Sequence, residues 1–276
     1  MNIFKFLEPF TNENLMNGKG SRRDSFTQFG QFGKNVALAA VPFTLAALTS
    51  TKAFAAKINP TPATPIGALQ LALTLEYLEK EFYIKGLASG VIPAGTRDEK
   101  VFMQISAHET NHVTFLISGL GGPGSANFVT KPTFDFTVGG AFDPFNATGI
   151  GKPAAYAQFL ALAQAFEDTG VRAYKGQAAS LISTPDLLTA ALQIHSVEAR
   201  HASEVRRLRG LKGWIAGNER GAGMPAATQA VYDVEEVTMQ GGYNTATLFG
   251  AAAGSESFDE PLTTAQTVTI ANLFIV

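Results

Sequence analysis

Residues 107–113, "AHETNHV", hold His108, Glu109 and His112. On a helix, H-E-x-x-H sets two imidazoles one turn apart beside a glutamate, the arrangement of a zinc protease. Without the first histidine the same letters read E-x-x-H, the half-site of a carboxylate-bridged two-metal centre in a four-helix bundle. A recurrence of one form elsewhere in the chain decides between them.

Only the shorter form recurs. "IHSVEARHASE" contains Glu198 and His201 in E-x-x-H spacing, with Val197 where the first copy has His108. Upstream of each copy stands a glutamate with a tyrosine seven residues on: Glu76 and Tyr83 in "LEYLEKEFY", Glu167 and Tyr174 in "FEDTGVRAY". Seven residues is nearly two helical turns, so each tyrosine shares its glutamate's face. Glu109 follows Glu76 by 33 residues and Glu198 follows Glu167 by 31, an approximate internal duplication. A zinc protease would need a third protein ligand and a substrate cleft. It would leave Glu76, Glu167, Glu198, His201 and the duplication without a role.

The elements that carry these residues read as helices. After the proline-punctuated "NPTPATP", a first helix is predicted over about 66–87, with Leu71, Leu75, Leu78 and Phe82 forming an apolar stripe. A second follows over about 98–118, a third over about 153–181 with Pro153 in its first turn, and a fourth from about Thr184, an N-cap candidate, to Leu208. Short turns within each pair predict two antiparallel hairpins. The long segment between helices two and three, residues 121–152, must then cross the bundle, and "FDFTV" within it alternates like a short strand. Beyond Gly210, helical stretches are predicted near 226–239 and 263–274, capping the bundle.

The pattern over residues 66–210 resembles the ferritin-like di-iron and di-manganese carboxylate superfamily, and "FDEPLTTAQTVTIANLFI" resembles the C-terminal end of its desiccation-related branch. The resemblance implies an all-α, ferritin-like four-helix bundle with a long crossover and a C-terminal extension. It implies two metal ions, iron or manganese, held by Glu76, Glu109, His112, Glu167, Glu198 and His201, with Glu109 and Glu198 bridging. Tyr83 and Tyr174 fall where the superfamily often has tyrosines beside the ligands, as candidate catalytic side chains or as core packing. Four carboxylates offset the charge of two divalent cations, and imidazole completes each while leaving room for an oxygen ligand. Glu79, one turn from Glu76, is an alternative helix-one ligand. His108 and His195 could hydrogen-bond a ligand carboxylate or buttress a helix interface. "RRLRG" at 206–210 reads as charge complementing the helix dipole. The implied chemistry is oxidation with dioxygen or peroxide, of ferroxidase, peroxidase or catalase type, in stress protection. A non-catalytic stress or scaffold bundle with structural metals is the other reading, and a homo-oligomer is compatible with either.

A formal charge of −2 gives no electrostatic footprint for nucleic acid, and the absence of cysteine excludes disulfides and thiolate chemistry. Residues 1–57 read as export signal and linker, 58–212 as the bundle and 213–276 as the extension. "SRRDSF", the apolar run 36–48 and "AFA" resemble a twin-arginine signal, although the aromatic Phe26 falls one place late. The run is shorter than the about 20 residues of a spanning helix. The expectation is therefore a periplasmic or extracellular protein, folded before export and not inserted in the membrane once the signal is removed.

Overall fold

Thr64 and Pro65 set the first helix boundary: the Thr64 hydroxyl accepts from the Gly67 amide at 3.1 Å, and Pro65 occupies the first turn, where its missing N–H costs nothing. The computed structural model, which describes residues 57–276, continues this helix as α1, Pro65–Ser89, ended by Gly90 at φ 67°. α2 spans Arg97–Gly119, capped by Thr96, and α3 spans Lys152–Gln177. A 3₁₀ turn, Ala178–Leu181, leads to α4, Pro185–Leu208. The architecture is the all-α four-helix bundle expected, with α1 packed along α2 and α3 along α4.

Several local expectations are corrected. The third helix gives way to a 3₁₀ turn after Gln177, and Thr184 closes the turn that follows: its amide and its hydroxyl both donate to the Leu181 carbonyl. The Thr184 hydroxyl therefore does not cap α4. The apolar stripe of α1 is only part of its buried surface, since residues 71–79 are buried without interruption, as are 159–174 of α3. These two helices lie at the centre and are covered on nearly all sides.

The crossover, residues 120–151, packs down as expected but is not a strand. Phe134 makes a single antiparallel bridge with Ile275. Asp135 then accepts from the amides of Thr137 and Gly139, closing a turn that ends the extended run. Phe136 and Phe145 reach the Phe82 ring, at centroid distances of 5.3 and 5.5 Å, and Phe159 and Phe166 meet it from α3. The crossover phenylalanines thus close the core beside Tyr83.

Downstream, the stretch predicted as helix over 226–239 is a 3₁₀ turn, Ala226–Val231, followed by a two-residue hairpin of β1 (Met239–Gln240) and β2 (Tyr243–Asn244). A longer helix is pre-empted because Arg172 of α3 takes the carbonyls of Val231 and Asp233. Sequence reading missed α5, Ala246–Ser255, which is broken at Gly250. The closing helix is α6, Thr264–Ala271, shorter than predicted and opened by a capping box of Thr263 and Gln266. No helix among the described residues is long and apolar enough to cross a membrane. The residues read as an export signal lie outside the described part.

Candidate metal centre

Six side chains from four helices converge in the middle of the bundle. α1 supplies Glu76, α2 supplies Glu109 and His112, α3 supplies Glu167, and α4 supplies Glu198 and His201; the four glutamates have no exposure and the two histidines 5% each. Two groups of atoms form, in each of which one nitrogen or oxygen per residue lies within 4.8 Å of all the others. Glu76, Glu109, His112 and Glu198 make one; Glu109, Glu167, Glu198 and His201 make the other. Glu109 and Glu198 belong to both.

The two groups mirror each other in detail. Nδ1 of His112 stands 3.2, 3.0 and 3.1 Å from oxygens of Glu76, Glu109 and Glu198. Nδ1 of His201 stands 3.3, 3.0 and 3.6 Å from oxygens of Glu167, Glu109 and Glu198. The tyrosines cross over. Tyr83 donates to Glu167 and Tyr174 donates to Glu76 at 2.5 Å, so each holds the glutamate of the other half. Burial first, then the adjoining carboxylate, pushes both phenols well above their ordinary value, which keeps them as donors.

An oxygen-rich cluster of this kind has too few donors. Glu109 Oε1, Glu167 Oε2, both oxygens of Glu198 and Nδ1 of His201 are buried without a hydrogen-bond partner. The approach of His201 Nδ1 to Glu109 and Glu167 is close but off the hydrogen-bonding direction. Ionised carboxylates accept only, and leaving them unpaired in a core is costly. The donor set, four carboxylates and two imidazoles, suits hard or borderline divalent cations, so the residues fit a dinuclear metal centre.

The remaining sequence candidates divide. Glu79 is buried and feels Glu198 and Glu167, but belongs to neither group of metal-capable atoms. His108 also stays outside both groups. Its Nδ1 lies 2.8 Å from Nε2 of His201, so it meets a histidine, not a carboxylate. Burial, then the neighbouring His201, lowers its pKa to about 4. His195 is half-buried, with Lys175, Asp259 and Glu198 as its charged neighbours, and it belongs to neither group. Arg206 is corrected outright: it is buried and grips Asp168 of α3 with Nε at 3.0 Å and Nη2 at 2.7 Å. Sequence reasoning also missed Gly170. A Cβ there would stand 3.3 Å from Glu79, tighter than ordinary contact, and an ordinary 3.5 Å from Glu198, so the glycine makes room for the Glu79 carboxylate. The repeat held the signal, because the shift that aligns Glu76 with Glu167 and Tyr83 with Tyr174 aligns Glu79 with Gly170.

Protonation of the metal-free cluster has a definite sign. Burial raises Glu167 to about 8 and raises Glu76 and Glu79 as well. Burial opposes charge on the imidazoles, but Glu76 and Glu109 around His112, and Glu167 and Glu109 around His201, outweigh it and raise both. These groups keep protons in the folded chain at pH values where the unfolded chain has lost them: the contribution of the carboxylates falls as pH rises above their ordinary range, that of Glu167 being lost by about 8, and the contribution of the imidazoles falls as pH rises above their ordinary value of 6.5. Glu109 and Glu198 are lowered, and theirs is lost only in acid, below the ordinary value of 4.5. Metal-stripped protein is therefore expected to melt several degrees lower at pH 8 than at pH 6. Added divalent metal, which displaces those protons, should raise the midpoint more at pH 8. A metal-free midpoint that climbs between pH 6 and 8 would contradict this account.

The family model described as ferritin-like domain matches residues 64–211 of the chain. No curated protein matches it at a significant level.

Proposed function

Because the chain belongs to the ferritin-like domain family, its family match spanning the four helices that carry the cluster, we propose that it is a dinuclear iron or manganese protein that reacts with dioxygen or peroxide. The observation that carries the reading is the pair of atom groups sharing Glu109 and Glu198. These two carboxylates would bridge, with Glu76 and His112 completing one position and Glu167 and His201 the other. When bound, such a pair of redox metals supplies electrons for reducing an O–O unit.

The chain's own residues set the conditions. Tyr83 and Tyr174 hold Glu167 and Glu76 by their outer oxygens, fixing each carboxylate's rotation and leaving its other oxygen directed inward. Burial excludes bulk water from the cluster, which strengthens every charge interaction within it. A pocket lined by Leu71, Leu75, Leu116, Ala173 and Ile194 reaches Tyr174. Its apolar walls suit a small uncharged oxidant.

The C-terminal resemblance supports a stress-protective role within the desiccation-related branch, and "SRRDSF" supports export in the folded state to the periplasm or beyond.

The test is reactivity of the loaded protein. Filled anaerobically with about two ferrous ions per chain and mixed with dioxygen or hydrogen peroxide, it should oxidise iron at least about tenfold faster than buffer alone, a difference of about 1.4 kcal/mol in the barrier. The manganese-loaded form should consume peroxide if the activity is catalase-like. Metals that bind in pairs yet react with neither oxidant would overturn the redox reading in favour of a structural centre.

A further inference from the structure

The duplication aligns Gln104, His108, Glu109 and His112 of α2 with Gln193, Val197, Glu198 and His201 of α4. At one of these four positions the chemistry changes. His108 reaches across the halves to His201, with 2.8 Å between Nδ1 and Nε2. The ring centres are 5.1 Å apart at an interplanar angle of 15°, which together with that nitrogen separation describes two rings meeting edge to edge along a hydrogen bond. Beyond it, Nε2 of His108 lies 2.6 Å from the side-chain nitrogen of the exposed Gln104. On the other side of the repeat, the side chain of Val197 has no atom that can accept a hydrogen bond.

We infer that the two metal positions are unequal: His108 is a positioning residue that holds His201 with Nδ1 toward the carboxylates, so the position bounded by Glu167 and His201 binds a divalent cation more tightly than the one bounded by Glu76 and His112. The inference rests on the dinuclear reading above. Its logic is the direction of the hydrogen bonds. If Nδ1 of His201 presents its lone pair to a cation, its Nε2 carries the hydrogen and donates to Nδ1 of His108. His108 then carries its own hydrogen on Nε2, and Gln104 meets it with the carbonyl oxygen once its amide is turned over, a rotation that leaves the side-chain outline unchanged. Every donor in the chain has an acceptor, and one tautomer of His201 is selected. An imidazole so held loses less rotamer freedom on binding and is a stronger base toward the cation.

The experiment is a stepwise titration of the metal-free full chain with Co²⁺, followed by calorimetry and by the visible absorption of the bound ion. Two resolved steps are expected for the unaltered protein. H108V, which makes the halves alike at this position, should weaken the tighter step about 10- to 100-fold and leave the weaker one in place. H108Q, whose carbonyl can accept from His201, should restore part of the loss. Q104L should weaken the tighter step by a smaller factor, and it carries the test if H108V does not fold. Identical stepwise constants in the unaltered protein and H108V, or an equal loss from both steps, would overturn the inequality while leaving the dinuclear centre standing. An unaltered protein that takes up no Co²⁺ would overturn both.

Discussion

A Glu109→Ala, Glu198→Ala chain is expected to retain almost none of the about two metal ions per chain that the unaltered protein should hold, measured by mass spectrometry after expression in metal-replete cells. The effect is large because these two residues are the only members common to both groups of metal-capable atoms. Removing either of the outer glutamates deprives one position; removing the shared pair deprives both. A second readout separates ligand loss from misfolding. A ligand at 100 times its dissociation constant stabilises a protein by about 2.7 kcal/mol. The melting temperature of the unaltered chain should therefore rise on adding metal, and that of the double variant should not respond. Two ions retained by the folded double variant would remove Glu109 and Glu198 from the centre. A single zinc that survives Glu198→Ala but is lost with His108→Ala would instead revive the H-E-x-x-H reading of "AHETNHV".

The second large effect lies at the attachment of the C-terminal extension. Arg172 of α3 has no exposure; it pairs with Glu235 at 2.7 Å and donates to the carbonyls of Val231, Asp233 and Glu260. Arg172→Met leaves Glu235 buried without its cation and several carbonyls without donors. Truncating one member of a buried ion pair costs about 3–5 kcal/mol, which for a chain of this size lowers the melting midpoint by roughly 10 °C. Burial already raises Glu235 to about 7 even with Arg172 opposing the shift. Without the arginine its proton would be held more firmly in the fold, so the penalty should be greater at pH 8 than at pH 6. Arg172→Met with Glu235→Met should recover much of the loss, since an apolar pair leaves no buried charge. A single variant as stable as the parent would show that the extension does not depend on this contact.

The sequence carried the bundle and the six converging residues because both follow from regular spacing. A helix repeats every 3.6 residues, so Glu76 and Tyr83, or Glu109 and His112, declare a shared face without any knowledge of neighbours. What escaped depends on which segments meet. Asp168 and Arg172 are four apart on α3, a spacing that on a helix surface suits a pairing with each other. Asp168 instead turns to Arg206 of α4, and Arg172 to Glu235 far along the chain. The same cause hid the cross-pairing of the tyrosines, since the face of a helix does not say which neighbour's carboxylate it will touch. The stretch 226–239 failed for a related reason: its local preference was helical, and the Arg172 guanidinium claimed the carbonyls that a helix would have used.

The crossing of Tyr83 to Glu167 and of Tyr174 to Glu76 bears on how the centre comes into being. Neither helical hairpin contains a complete position, because one group needs Glu198 from α4 and the other needs Glu109 from α2. The hairpins can form early from contacts close in sequence, but the centre depends on chain segments about 90 residues apart finding each other, which places it late among folding events. Metal capture would in this way be a proofreading step for the whole bundle: a chain with one hairpin misdocked would have no half-centre to fill, and it would forgo the stabilisation that a bound ion would give.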